Sequence, residues 1–149
     1  MTSSNEYRLP LGVIPTHYQL TLTPDLNEFT FMGEVAISIE LKEPTTRIIL
    51  NAAELLFTEG SAQQDGMSPI TAQEILVNEE TERATIIFDK ELAKGRAKLF
   101  LKYSGILNDQ LRGFYRAKYI DIDGNERYMA TTHFEATDAR RAFPCWDEP

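Results

Sequence analysis

Apolar side chains recur at every second position through most of this chain. Tyr18, Leu20 and Leu22 alternate with His17, Gln19 and Thr21, and Val35, Ile37, Ile39 and Leu41 alternate with Ala36, Ser38 and Glu40. Ile86 and Phe88 keep the period, as do Leu99, Leu101 and Tyr103, and later Tyr128, Ala130 and Thr132. Successive side chains of a strand point to opposite faces, so the pattern predicts strands with one buried face each. Pro24-Asp25, Glu43-Pro44, Lys94-Gly95 and Asp123-Gly124 punctuate the runs as turns. Many short strands at this spacing predict an all-β fold, mostly antiparallel, built as a sandwich or an open curved sheet. Gly60 to Pro69 is small, polar and glycine-bearing, and reads as an exposed loop. Helical signal is confined to the end, where Thr137 is expected to cap a short turn or helix with Asp138 at its positive end. Phe143 to Pro149, with a tryptophan and two prolines, reads as the start of a junction to further chain.

Composition narrows the function classes. At 149 residues the chain suits one domain with a real core, burying about 70% of its unfolded surface. A net charge of -8 opposes contact with nucleic acid or an anionic membrane. Arg96, Lys98 and Lys102 do share one strand face, but they read as the solvated side of a half-buried strand and not as a phosphate track. No apolar stretch is long enough to span a bilayer, and Met1 to Tyr7 lacks the features of a secretory signal. Cytoplasm is therefore the expected compartment. With one cysteine, Cys145, no internal disulfide is possible.

Few residues here could carry chemistry unaided. A catalytic zinc needs about three protein ligands, whereas His17 and His133 stand far apart with no second histidine or cysteine at ligand spacing. No metal site is expected in this chain. Cys145 has no local base or orienting partner, so it reads as a packed small residue. Asp121 to Glu126 puts its glycine at the fourth position, not the sixth that a calcium loop requires, and reads as a hairpin turn. Glu135 is the remaining candidate. It follows a predicted strand, Tyr128 to Phe134, and a carboxylate at a sheet rim can hold an ammonium group through a charge-assisted hydrogen bond. A solvated side chain, or one paired with Arg140, explains such a position equally well.

The last third of the chain resolves that choice by resemblance. Asn108 to Arg116 (NDQLRGFYR) and the ungapped run Tyr128 to Pro149 (YMATTHFEATDARRAFPCWDEP) closely resemble the aminopeptidase-N family of M1 gluzincin peptidases, and within it the puromycin-sensitive branch most. Arg8-Leu9-Pro10 and Val13 to Tyr18 are similar to that family's opening strand. The resemblance implies that residues 1–149 are the single amino-terminal β-domain, saddle-like in shape, of a larger zinc metallopeptidase. The zinc-binding and exopeptidase motifs would then lie in a catalytic domain absent from this chain. It further implies that Glu135 reaches the active site and holds the free α-ammonium of peptide substrates. The family usually has glutamine where this chain has His133, so His133 is expected to line the first side-chain pocket and to narrow or re-polarise it. The implied partners are peptides with a free amino terminus and the catalytic domain of the same polypeptide. This chain alone, without metal or base, is expected to be inactive.

A second reading is a free-standing β-sandwich that binds protein or carbohydrate. It predicts a self-contained surface displaying Tyr115, Tyr119 and Trp146. The enzyme-domain reading predicts instead that Phe143 to Pro149 forms an exposed edge.

Overall fold

The structure, a computed structural model, describes residues 8–147. Its elements are β1 (Val13–Asp25), β2 (Thr30–Leu41), β3 (Thr45–Asn51), β4 (Leu56–Gln63), β5 (Ile70–Thr71), β6 (Glu74–Asn78), β7 (Arg83–Leu92), β8 (Gly95–Ile106), β9 (Gly113–Ile120) and β10 (Glu126–His133), followed by a 3-10 turn at Ala139–Arg141. All pairings between strands are antiparallel. A large sheet runs β1-β2-β8-β4-β5, a small one β3-β7-β6, and β9 with β10 forms a separate hairpin.

The period-two pattern accounts for this arrangement. Val35, Ile37, Ile39 and Leu41 of β2 pair in register with Leu101, Leu99, Ala97 and Gly95 of β8, which lays a continuous apolar face across the centre of the large sheet. Ile48 and Leu50 of β3, with Ala84, Ile86 and Phe88 of β7, supply the facing layer, and both sets belong to one buried cluster. Each large side chain withdrawn from water in this way contributes about 1.5–3 kcal/mol. The opposite face of the large sheet carries Glu34, Glu40, Arg96, Lys98 and Lys102, all exposed. Lys102 there pairs with Glu34 at 3.7 Å and Glu59 at 3.7 Å, so the basic stripe is charge-balanced within its own sheet.

β1 carries a bulge between Pro15 and His17, where Thr16 bonds the Ser38 carbonyl at 3.2 Å, and of its expected inward residues Tyr18 and Leu22 pack on the core while Leu20 is exposed. Proline is tolerated there because β1 is an edge strand, with one row of amides outside the ladder. Asp121 closes the β9–β10 turn: its carboxylate accepts from the amides of Asp123 and Asn125 and from the Arg127 guanidinium at 2.8 Å. Gly124 adopts φ 83°, which this turn needs.

Three local expectations are overturned. Gly60 to Gln63 is not loop but the second half of β4, and Gly60 and Ala62 are buried. Its small polar residues mislead because the strand passes beneath Ile75: a Cβ on Gly60 would meet the Ile75 side chain at 3.0 Å. Thr137 does not cap the 3-10 turn; Asp138 holds that position without a side-chain cap bond. Nor is the C-terminal segment an exposed edge. Cys145 and Asn51 exchange backbone bonds of 2.7 and 3.0 Å, and the Trp146 amide donates to the Tyr18 hydroxyl at 3.0 Å. Phe143 to Asp147 is therefore folded against the domain, and Glu148 and Pro149 lie outside the described residues.

The tightest packing lies between β2 and β8. A Cβ on Gly33 would fall 2.2 Å from the Tyr103 ring, so only glycine fits opposite that residue. The Tyr103 hydroxyl is buried with no hydrogen-bond partner among the described residues. Gly33→Ala is expected to cost roughly 1–3 kcal/mol by overpacking. Tyr103→Phe, which removes an unpaired polar atom, should be neutral or mildly stabilising. Urea unfolding of both variants checks this; a Gly33→Ala protein as stable as the wild type contradicts the packing account.

Candidate functional site

The β9–β10 hairpin and the segment after it hold the residues of interest. On one face, Phe114 is buried, Ala130 packs on the core, and Tyr128 meets Phe29 edge to face with centroids 4.8 Å apart. The Arg116 guanidinium sits 4.2 Å from the same Phe29 ring. The other face carries His133, Thr131, Met129, Tyr115 and Tyr119, placed together by the pairing of His133 with Gly113 and of Thr131 with Tyr115. His133 is exposed at the last position of β10, and Glu135 is exposed two residues further on, at the start of the turn 135–138. The Glu135–Ala136 peptide bond is cis.

The turn is held from two sides. On its apolar side Phe134 packs edge to face on Phe143, and Phe143 on Tyr18, with centroid distances of 6.0 and 5.8 Å. On its polar side the Asp138 amide donates to the Phe134 carbonyl at 3.0 Å, and the Asp138 carboxylate accepts from Arg141 Nε at 2.9 Å. Arg141 also contacts Glu54 at 2.9 Å and Glu82 at 3.0 Å. Burial disfavours the charged form of Arg141, but its hydrogen bond to Asp138 and the charges of Glu54 and Glu82 outweigh it and raise its pKa. Arg140 contacts Asp147 at 3.0 Å and Glu82 at 3.4 Å. Arg112 completes the network on Glu54 at 3.5 Å.

Both arginines after the turn are thus committed to other carboxylates. Arg140 does not pair with Glu135, and among the described residues no hydrogen bond or ion pair reaches the Glu135 side chain. The sequence reading did not identify Glu54, Glu82, Asp138 and Asp147 as partners of these arginines. Glu54 and Glu82 sit on turns at φ 60° and 54°, conformations unusual for glutamate that no local motif announces.

His17 and His133 lie in different sheets, and no group of three or more histidine, cysteine, aspartate or glutamate residues among the described residues is placed to hold a metal ion. A groove lies over the outer face of the large sheet, lined by Gln19, Glu34, Glu59, Phe100 and Lys102, and neither Glu135 nor His133 borders it. No helix of the described residues is long and apolar enough to cross a membrane. Of the three aromatic residues considered for surface display, Tyr119 is exposed, while Tyr115 and Trp146 are half-buried.

With this geometry in place, comparison with known proteins identifies the class. The peptidase M1 N-terminal domain family matches residues 14–149, and the chain belongs to it. It is 44% identical to Aminopeptidase M1-D of Oryza sativa subsp. japonica over 142 residues. It is 43% identical to the Alanine/arginine aminopeptidase of Saccharomyces cerevisiae over 145 residues, and 42% identical to that organism's "Aminopeptidase 2, mitochondrial" over 149 residues. These alignments cover 95–97% of this chain but only 15–16% of the relatives.

Two acids where the segment Phe143 to Asp147 meets the rest of the fold, Cys145 within it and Tyr18 on β1, are held neutral. Burial, the main cause, pushes the Cys145 thiol up to about 12 and the Tyr18 phenol up to about 12. Cys145 is accordingly a poor nucleophile, as its packed position requires. Both groups have folded pKa values above their ordinary ones, near 9 and 10. The stability they contribute is complete below about pH 9 and is lost as pH rises toward 12. The urea midpoint should hold steady from about pH 6 to 8.5 and fall above it. A Tyr18→Phe, Cys145→Ala double variant should fall less steeply, and an identical alkaline decline would contradict the assignment.

Proposed function

We propose that this chain is the amino-terminal domain of a zinc-dependent aminopeptidase, one that removes single residues from the amino termini of peptides. Its role is to pack on the catalytic domain of the same polypeptide and to present Glu135 to the substrate's α-ammonium group. The observation that carries this reading is the unpartnered, exposed Glu135 carboxylate on a turn whose neighbouring arginines are occupied elsewhere. A carboxylate left without an internal cation is available for an external one, and a charge-assisted bond to an ammonium contributes about 1.5–3 kcal/mol. The relatives are named as aminopeptidases, which supports the choice of ligand, since an aminopeptidase must distinguish a free terminal amine from an internal amide.

Zinc, held by the catalytic domain, would supply polarisation of the scissile carbonyl and activation of water. The residues of this chain take no part in holding it. Their contribution is orientation: fixing the first amine limits how far a peptide can thread, which makes cleavage exopeptidic. His133, exposed at the neighbouring end of β10, lines the first side-chain pocket in this reading, where its ring is bulkier than glutamine and its protonated form would repel an ammonium.

In the full-length enzyme, Glu135→Gln should raise KM for an unblocked amino-acid anilide roughly 10- to 100-fold, with zinc content unchanged. A variant with wild-type KM removes the clamp from the account. His133→Gln should alter the preference among first residues, and a variant with unchanged preference would show that the imidazole is not in the pocket. The purified 149-residue chain should not hydrolyse such a substrate; chelator-sensitive turnover by it would contradict the division of labour.

A further inference from the structure

Arg141, at the end of the 3-10 turn Ala139–Arg141, pairs with three carboxylates. Its Nε donates to Asp138 at 2.9 Å, while its two terminal nitrogens reach Glu54 at 2.9 Å and Glu82 at 3.0 Å. Asp138 lies on the turn that carries Glu135, whereas Glu54 and Glu82 belong to two separate connections, β3–β4 and β6–β7. One rigid guanidinium therefore joins the turn to two turns at the end of the small sheet. Both of those glutamates hold left-handed backbone conformations, at φ 60° and 54°, which are strained for a residue with a Cβ. Such conformations persist where the surroundings over-determine them. The stem of Arg141 is fixed as well: a Cβ on Gly113, the strand partner of His133, would fall 2.7 Å from Arg141 Cβ.

The consequence for Glu135 follows from chain geometry. Its turn is closed by the Asp138 amide on the Phe134 carbonyl at 3.0 Å. Phe134 cannot move freely because it packs on Phe143. Asp138 cannot move freely because Arg141 holds its carboxylate. Glu135 is strung between these two fixed points while its own side chain stays unpaired. Resting on the reading of Glu135 as the amine clamp, we infer that Arg141 is a positioning residue for that clamp. Acting through Asp138, it holds the Glu135 turn at a set distance from the small sheet. A lysine in its place would keep a charge but lose the planar fork that serves three carboxylates at once.

A double-mutant cycle in the full-length enzyme tests this. Arg141→Lys and Asp138→Asn should each raise KM for an unblocked amino-acid anilide about tenfold, with kcat changed less than about threefold. In a Glu135→Gln background the same substitutions should change KM less than about twofold, because the group they position has lost its charge. In the 149-residue chain, Arg141→Lys should cut the hydrogen-exchange protection of the Asp138 amide about tenfold and leave β2 and β8 protected. Should Arg141→Lys fail to fold, Asp138→Asn carries both measurements. Equal KM penalties with and without Glu135, or an Arg141→Lys enzyme with wild-type KM, would overturn the positioning role and leave the clamp standing. A Glu135→Gln enzyme with wild-type KM would sink both, by a separate observation.

Discussion

The allocation of charge around the turn 135–138 is the constraint on which the site depends. Arg140 and Arg141 follow Glu135 by only five and six residues, and a flexible peptide of this sequence would let them neutralise it. The fold prevents this by offering closer partners. Asp138, Asp147, Glu54 and Glu82 take up both guanidinium groups at 2.9–3.4 Å. These arginine side chains are only 12–13% exposed, so their charges must be matched locally and the partners cannot be exchanged cheaply. Glu135, at the start of this turn, is thereby left with no internal cation among the described residues.

That allocation in turn needs the sandwich. Glu54 and Glu82 lie 28 residues apart and come together because β3 and β7 are neighbours in the small sheet. Asn51, at the end of β3, adds the clamp for the far side: it exchanges backbone bonds with Cys145, its side-chain oxygen accepts the Asp147 amide at 3.1 Å, and its side-chain nitrogen reaches the Glu82 carbonyl at 3.4 Å. It is the buried polar residue of the core, and its bonds explain why it is tolerated there. The hydrophobic layer, the polar clamp and the arginine network thus form one continuous support from the centre of the fold to the exposed turn.

Family membership and this architecture agree in what they favour. A free-standing binding module would need a surface of its own, yet two of the three aromatic residues considered for it are half-buried, and Trp146 is spent on the core. The groove on the outer face of the large sheet has its lysine already satisfied by two glutamates. The chain spans about one sixth of the length of the relatives it matches.

The strands, their faces and most of their turns were legible in the sequence, because a period of two is a local property that one buried face enforces residue by residue. Val35 to Leu41 and Leu99 to Tyr103 needed no knowledge of their partners to be placed inward. Glu135 and His133 stood out only through a long motif shared with a family, since an exposed carboxylate after a strand has no distinguishing pattern. What tertiary structure alone decided was long-range: that Gly60 and Ala62 enter the core beneath Ile75, that Phe143 to Asp147 folds back on Asn51 and Tyr18, and that Arg140 turns from Glu135 to Glu82. Each depends on groups distant in sequence meeting in space, from Gly60 and Ile75 to Tyr18 and Trp146, and which of several nearby charges an arginine chooses is settled by burial and geometry, neither of which a linear string displays.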